Sequence, residues 1–258
     1  MSFSSQPSAI VRPLRFASTI VLGVIIIETI VSLLFAAIAP DLSWIFMGIM
    51  TSGMFSLIAA MLLTYFGWWR KSGLLCGTSL HNIGLFWPLL LYGLLPLALG
   101  FQTPRSTVEL AVLVGVLIAF WKIAALGMFV MAFLRRGRWR TTIYTALLFA
   151  VMHLGGILVG ADPIITGLLS LSYFFLGFAF VSLRLRTGVL WPQWLIYTLF
   201  LVISALLQPT RGPNLVPSIE TLTGLVVITA ILAIYGGIML ARYHAPPAGQ
   251  TEVVKRRA

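Results

Sequence analysis

The chain has 258 residues, of which 60% are hydrophobic and 9% charged, with a mean hydropathy of +1.03 and a formal net charge of +11. This composition excludes an ordinary soluble protein, because the chain has too few polar residues to cover a surface in water. Strand-like alternation is absent, so the sequence predicts an all-α, polytopic membrane bundle rather than a barrel.

Eight apolar runs come close to or exceed the length of about 20 residues that a helix needs to cross the hydrocarbon core. The connections between them are short, so we expect sequential helices to be antiparallel neighbours in one bundle over residues 16–241. A cytoplasmic segment, 1–15, precedes this bundle, and a basic cytoplasmic tail, 242–258, follows it. The predicted spans are 16–38, 43–67, 83–100, 107–133, 141–160, 163–184, 189–208 and 217–241.

Basic residues indicate the orientation. With the N-terminus in the cytoplasm, fourteen Lys and Arg residues fall on that side, Lys122 falls inside a span, and only Arg105 and Arg211 fall outside. By the positive-inside rule, this asymmetry predicts that both termini are cytoplasmic. We assign the basic excess to orientation and to anionic lipid headgroups, not to nucleic acid. The fourteen residues are Arg12, Arg15, Arg70, Lys71, Arg135, Arg136, Arg138, Arg140, Arg184, Arg186, Arg242, Lys255, Arg256 and Arg257.

The first apolar run is too long for a signal peptide and has no small-residue cleavage site, so we expect it to be retained as a span. The single cysteine, Cys76, excludes an internal disulfide. We expect an integral protein of a prokaryotic cytoplasmic membrane. Its partners would be the lipid bilayer and, as further candidates, other membrane-protein subunits.

Three ionisable groups lie deep in the predicted spans. Glu28 and His153 are each about twelve residues from the cytoplasmic end of their spans, and Lys122 is near the middle of the fourth. At about 1.5 Å per residue, all three reach a similar depth of roughly 18 Å. If their helix faces converge, they form an intramembrane polar cluster of acid, base and imidazole.

Three interpretations of this cluster stay open. Lys122 and Glu28 form a structural ion pair beside a hydrogen-bonded His153, or the three groups relay protons or bind a ligand. A catalytic metal is the least favoured, because zinc requires about three protein ligands. The other two histidines, His81 and His244, lie near a helix end and in the tail. Motifs for hydrolases, nucleotides and dinucleotides are absent, so no cofactor is predicted.

The segments "RRGRWRTTIYTALLFAVMHL" and "FFLGFAFVSLRLRTGVLWPQWLIYTLFL" resemble the core of the CPBP intramembrane proteases. This family includes the CAAX prenyl endopeptidases and bacteriocin-immunity-type proteins. Phe149 and His153 match its F-x-x-x-H motif, with both residues on one helix face. Gly177 matches its helix glycine, and "LRTGVLWP" at 185–192 matches its turn. The resemblance covers a core of about 107–208 and implies a membrane metalloprotease bundle.

The chain departs from the family at the catalytic positions. Trp121 and Lys122 stand where the resemblance places two water-activating glutamates, and Leu126 stands in place of an arginine. Tyr197 and Leu201 replace the last histidine and its Asn or Asp partner. A lysine reverses the charge where a divalent metal or an activated water would be held, which is incompatible with that chemistry.

The sequence therefore favours a CPBP-like protein that is more a pseudo-enzyme than an enzyme. It would act as an accessory subunit, a scaffold or an intramembrane binding protein, without a metal. The remnant of the site would be lined by Lys122, His153 and Tyr197, with Glu28 as a further candidate.

Two alternatives stay open. In an active endopeptidase with a rearranged site, Glu28 would be the base, His153 would stabilise an oxyanion or hold a divalent metal, and Tyr197 would donate a proton. In a proton-coupled carrier, the ionisable groups at depth would move protons. Against the carrier, the spans show no convincing inverted repeat.

Overall fold

The computed structural model of the protein describes residues 12–38, 44–77, 80–99, 108–206 and 219–242. Every regular element in these ranges is helical, and no strand occurs within them. Six helices are long and apolar enough to cross a membrane. The prediction of an all-α bundle typical of integral membrane proteins is therefore confirmed for the described chain.

The helices follow the apolar runs closely. Short 3-10 turns join α3 to α4 at Gly84–Phe86, follow α4 at Leu95–Leu99 and follow α5 at Leu134–Arg136. The α-helices are α1 (Pro13–Ile38), α2 (Trp44–Tyr65), α3 (Leu80–Ile83), α4 (Trp87–Leu94), α5 (Val108–Phe133), α6 (Arg138–Val151), α7 (Pro163–Thr187), α8 (Trp191–Leu206) and α9 (Ile219–Ala241).

Two of the eight predicted spans form shorter helices. The apolar run Gly84–Leu97 contains α4, and α8 has 16 residues. A helix of that length covers about 24 Å, less than the hydrocarbon core of about 30 Å. Pro88 opens α4 and Pro96 lies in the 3-10 turn after it, so prolines limit the α-helical length there. Full crossing by these two segments stays a prediction.

The helices alternate in direction, so that one end of the bundle collects the basic residues. Phe16 at the start of α1 contacts Phe66 just after α2, with ring centroids 5.4 Å apart. The Nη1 atom of Arg186 near the end of α7 donates to the carbonyl oxygen of Met239 near the end of α9 (3.1 Å). We call this the basic end; its described cations are Arg12, Arg15, Arg70, Lys71, Arg135, Arg136, Arg138, Arg140, Arg184, Arg186 and Arg242.

Arg184 ties the loop after α2 to the end of α7. Its Nε atom donates to the carbonyl oxygen of Ser72 (2.7 Å), and its Nη2 atom donates to that of Lys71. The backbone N–H of Leu190 donates to the carbonyl oxygen of Gly73 (2.8 Å), which holds the start of α8 to the same loop. Gly73 has φ +92 and lies so close to Arg184 that a Cβ would come within 2.6 Å of Nε. Arg184 therefore has a structural role besides its charge.

The predicted span 141–160 is a two-part helix. After Val151 the chain tightens into a 3-10 helix over Met152–Val159, and Gly160 ends it in the left-handed conformation (φ +88). This 3-10 helix of eight residues is unusually long, since 3-10 helices in proteins rarely exceed about four residues. His153 therefore lies at the junction of two helix types.

Close packing sets the spacing of the inner helices. A Cβ on Gly236 of α9 would lie 2.9 Å from the Cα atom of Ala179 on α7, and one on Gly115 of α5 would lie 2.7 Å from Cγ2 of Val202 on α8. In the most apolar stretch of α5, half of the residues are buried, whereas in that of α1 only 11% are buried. The core therefore lies around α5, and most of the surface of α1 is not covered by the other described helices.

The predicted N-terminal segment 1–15 overlaps α1, which begins at Pro13. Arg105, Arg211, His244 and nearly all of the basic tail lie outside the described residues. The predicted position of the termini in the cytoplasm therefore stays a prediction.

Candidate functional site

Lys122 on α5 lies against aromatic rings. Its ammonium nitrogen is 4.7 Å from the ring centroid of Tyr173, 5.7 Å from that of Trp121 and 6.0 Å from that of Tyr197. It donates a long hydrogen bond of 3.5 Å to the Tyr197 hydroxyl. We call these three rings the aromatic cradle. The electron-rich faces of aromatic rings attract a cation, so the cradle holds the charge without a carboxylate in contact.

Tyr173 on α7 is the centre of the site, and sequence reasoning missed it. The hydroxyls of Tyr197 and Tyr173 are 3.4 Å apart, and Phe149 meets the Tyr173 ring edge-to-face at 5.9 Å. Tyr173 lies four residues before Gly177, which packs directly against Phe149. That spacing places Tyr173 on the helix face of the matched glycine, and it is the sequence feature that identifies Tyr173 as a site residue.

His153 stacks on Tyr173, with ring centroids 3.5 Å apart and an interplanar angle of 16°. Its Nδ1 atom is 2.8 Å from the carbonyl oxygen of Phe149. A carbonyl oxygen only accepts, so Nδ1 carries the hydrogen and donates it. Nε2 is buried and has no hydrogen-bond partner among the described residues. The imidazole is therefore fixed in place by one nitrogen and by stacking.

Glu28 on α1 lies in a separate cavity of about 320 Å³ between α1, α2 and the 3-10 helix. Its Oε2 atom is 3.7 Å from the position that a Cβ on Gly155 would take. The charge of Lys122 acts on Glu28, but no ion pair joins the two side chains within the described chain. The cavity is lined by Glu28, Thr29, Ser32, Gly48, Thr51, Ser52, Gly155, Gly156 and Val159.

The structure thus brings together most of the positions that the sequence singled out. Lys122, Phe149, His153 and Tyr197 all contact Tyr173, and Trp121 contributes its ring to the surroundings of the Lys122 ammonium group. Glu28 is the exception, because it faces its own cavity and interacts with Lys122 only over a distance. Of the predicted cluster, Lys122 and His153 therefore meet at Tyr173, whereas the acid, Glu28, is not in contact with them.

An apolar cavity of about 410 Å³ adjoins the cradle through Tyr173. It lies between α4, α7, α8 and α9, and its polar groups are few. A molecule in this cavity would touch the ring that stacks on His153. The lining is Tyr92, Leu95, Pro96, Leu169, Ser172, Tyr173, Leu176, Phe200, Ser204, Thr221, Leu222, Gly224, Leu225, Ile228 and Thr229.

Metal-ligating side chains do not gather anywhere in the described residues: no group of three His, Cys, Asp or Glu lies close enough to hold an ion. The side chain of His81 and all of His244 lie outside those residues. Cys76 is exposed in the loop after α2.

No protein-family model, curated protein or solved structure matches the chain. The resemblance to the CPBP family therefore rests on the motifs around Phe149, His153 and Gly177 and stays a prediction.

Proposed function

We propose that the protein is a non-catalytic, CPBP-like membrane protein that serves as an accessory subunit, scaffold or intramembrane binding protein. The observation that supports this most is the environment of Lys122. At a position where the resemblance implies a glutamate, the chain carries a cation 4.7 Å from the centre of the Tyr173 ring. A fixed positive charge repels a divalent metal and does not take a proton from water.

The position before Lys122 also argues against a catalytic site. Trp121, at the place of the second glutamate, is only 5% exposed and packs on Phe55 with ring centroids 5.0 Å apart. A large aromatic side chain fills the volume that a carboxylate and its water would need. Both positions therefore contribute to packing, which favours a structural or binding role.

The contacts of Glu28 and His153 argue against the rearranged endopeptidase. A base and its partner require hydrogen-bond reach within one open site. Nδ1 of His153 is engaged by the carbonyl oxygen of Phe149, and Nε2 has no partner in the described part of the chain, so neither ring nitrogen reaches Glu28. His153 also does not line the cavity that Glu28 faces.

The apolar cavity beside Tyr173 supports the binding role. A cavity of about 410 Å³ lies within the range of small-molecule sites, about 300–1,000 Å³. It faces an aromatic ring already fixed by His153, so a ligand would meet a preformed surface. An apolar or amphipathic molecule that dissolves in the bilayer fits this lining best.

Metal titration tests the non-catalytic part of the proposal. Purified protein in detergent is titrated with Zn²⁺ and Mn²⁺ by calorimetry, beside His153→Ala and, as a matched control, His244→Ala. We expect no tight 1:1 site that disappears in His153→Ala, and any weak zinc binding to follow His244. A stoichiometric site that requires His153 would overturn the proposal.

Purification at native expression level tests the subunit part. An affinity tag on the native protein, extracted from the membrane in which it is made, should retain a partner in fixed stoichiometry. Extraction from a strain that carries the tag alone is the control. Recovery of the chain as an isolated monomer would contradict the accessory-subunit role.

A further inference from the structure

A groove of about 600 Å³ lies between α1 and α2, away from the site around Tyr173. Two arginines lie at one end of it, and the rest of its lining is almost entirely apolar. The groove begins at the basic end and continues into the depth of the bundle. Its lining residues are Arg12, Arg15, Phe16, Thr19, Ile20, Gly23, Val24, Ile27, Phe55, Ile58, Leu62 and Phe66.

The two arginines have no anionic partner in the described chain. Both side chains are exposed, and neither guanidinium group makes a hydrogen bond or ion pair there. Asp162, Glu109 and Glu220 stand at the starts of α7, α5 and α9, which are at the opposite end of the bundle from the arginines. The remaining described carboxylate, Glu28, is deep in α1, so a counter-anion for the arginines has to come from outside these segments.

The dimensions of the groove match one leaflet of a bilayer. Arg15 and Ile27 are twelve residues apart on α1. That separation corresponds to about 18 Å of helix, close to half of a hydrocarbon core of about 30 Å. An acyl chain whose phosphate lies at Arg15 would therefore extend along the groove to the level of Ile27.

We propose that this groove binds one anionic phospholipid, with its phosphate at Arg12 and Arg15 and one acyl chain along the apolar lining. A second helix in the groove, from another copy or a partner, would cover the arginines with apolar surface and leave their charges uncompensated. A lipid supplies both the anion and the chain. This site is independent of the proposed function and of Tyr173.

Native mass spectrometry of the detergent-purified protein tests the proposal. The probe is palmitoyl-oleoyl phosphatidylglycerol, and phosphatidylcholine with the same chains is the uncharged comparison. We expect one phosphatidylglycerol to stay bound per chain at concentrations where phosphatidylcholine does not. Equal retention of the two lipids would overturn the proposal, because the arginines would then have no part in binding.

Charge variants test the headgroup. Arg12→Gln and Arg15→Gln should each weaken phosphatidylglycerol binding about fivefold, since a basic residue near a membrane contributes about 1 kcal/mol to anionic-lipid binding. The matched control, Arg70→Gln with Lys71→Gln, removes two charges from the same end outside the groove. It should change binding less than twofold, and an equal loss would show general surface attraction and overturn the proposal.

A filling variant tests the acyl chain. A Cβ on Gly23 would meet no atom within 4 Å, so the side chain of Gly23→Leu has room to enter the groove. Gly53→Leu is the matched control, because Gly53 also faces open space and does not line the groove. We expect Gly23→Leu alone to abolish retained phosphatidylglycerol, with both variants melting like the parent. Unchanged retention in Gly23→Leu would overturn the proposal.

Discussion

The charge of Lys122 is stabilised by aromatic faces and one hydroxyl rather than by a neighbouring carboxylate. A desolvated cation beside an aromatic face gains about 2 kcal/mol. An ion pair truncated on one side leaves an uncompensated buried charge and costs about 3–5 kcal/mol. The two arrangements therefore predict different energies when Glu28 is neutralised.

A double-mutant cycle with Glu28→Gln and Lys122→Met distinguishes them. Because no direct ion pair joins the two side chains, we expect Glu28→Gln to cost less than about 1 kcal/mol and the coupling energy to stay below about 1 kcal/mol. The free energy of unfolding is measured by titration with sodium dodecyl sulfate in mixed micelles.

Glu220→Gln, at the start of α9, is the control for removal of a carboxylate elsewhere. A coupling energy of about 3 kcal/mol between Glu28 and Lys122 would instead show a direct ion pair in the bilayer.

At the scale of elements, α7 and α9 pack with almost no space between their backbones. A Cβ on Gly236 would come 2.9 Å from Cα of Ala179, whereas one on Gly237 would meet only Cε1 of Phe178 at 3.7 Å. The first distance forces the helices apart, and the second is an ordinary contact. A side chain therefore fits at Gly237 but not at the adjacent Gly236.

We expect Gly236→Ala to lower the free energy of unfolding by about 1–2 kcal/mol, because overpacking costs more than the helix propensity of alanine returns. Gly237→Ala should be neutral or stabilising by up to about 1 kcal/mol. Apparent melting temperatures in one detergent compare the two variants. Equal melting temperatures would contradict the close α7–α9 contact.

The sequence predicted where the helices lie along the chain. It did not predict which face of each helix points toward the site. The long runs of α5, α7 and α9 were placed within a few residues, because continuous apolar length is the dominant determinant. The depth of a residue along its predicted span was also predictable from the sequence, and it placed Lys122 and His153 at the same level of the bundle. Rotation about each axis depends on packing partners, so the separation of Glu28 from Lys122 was visible only in the structure. The spacing to Gly177 places Tyr173 on the face of the site, but its stacking on His153 also required the structure. The end of α6 at Val151 was missed because an apolar 3-10 helix and an apolar α-helix have the same composition.

At the scale of the molecule, the bundle has one basic end, and the carboxylates Glu109, Asp162 and Glu220 lie at helix starts at the opposite end. At the basic end, Arg184 joins the end of α7 to the loop after α2, and Arg186 joins it to the end of α9 through the carbonyl oxygen of Met239. By the positive-inside rule, a bundle with its cations at one end is expected to place that end in the cytoplasm. The orientation predicted from charge is therefore directly testable with a residue that the chain already carries.

Cys76 is exposed in the loop held by Arg184 and is the single cysteine of the chain. We expect a membrane-impermeant maleimide to leave it unlabelled in intact cells and to label it in inside-out vesicles. Mass shift on a denaturing gel reports the labelling.

Ala161→Cys in a Cys76→Ser background is the opposite reporter, because exposed Ala161 lies in the turn before α7, at the far end of the bundle. It should be labelled in intact cells. Labelling of Cys76 from outside would reverse the predicted orientation.

The 3-10 helix that contains His153 gives the protein a sensitivity to the thickness of the bilayer. Its eight residues cover about 16 Å, where an α-helix would cover about 12 Å. With the 14 residues of α6, the two-part helix reaches about 37 Å, enough for a bilayer that α6 alone could not cross. In a thinner bilayer the α conformation becomes the better hydrophobic match. Conversion would draw Gly160 inward by about 4 Å and rotate it relative to His153, so lipid thickness would act on the residue that holds Tyr173.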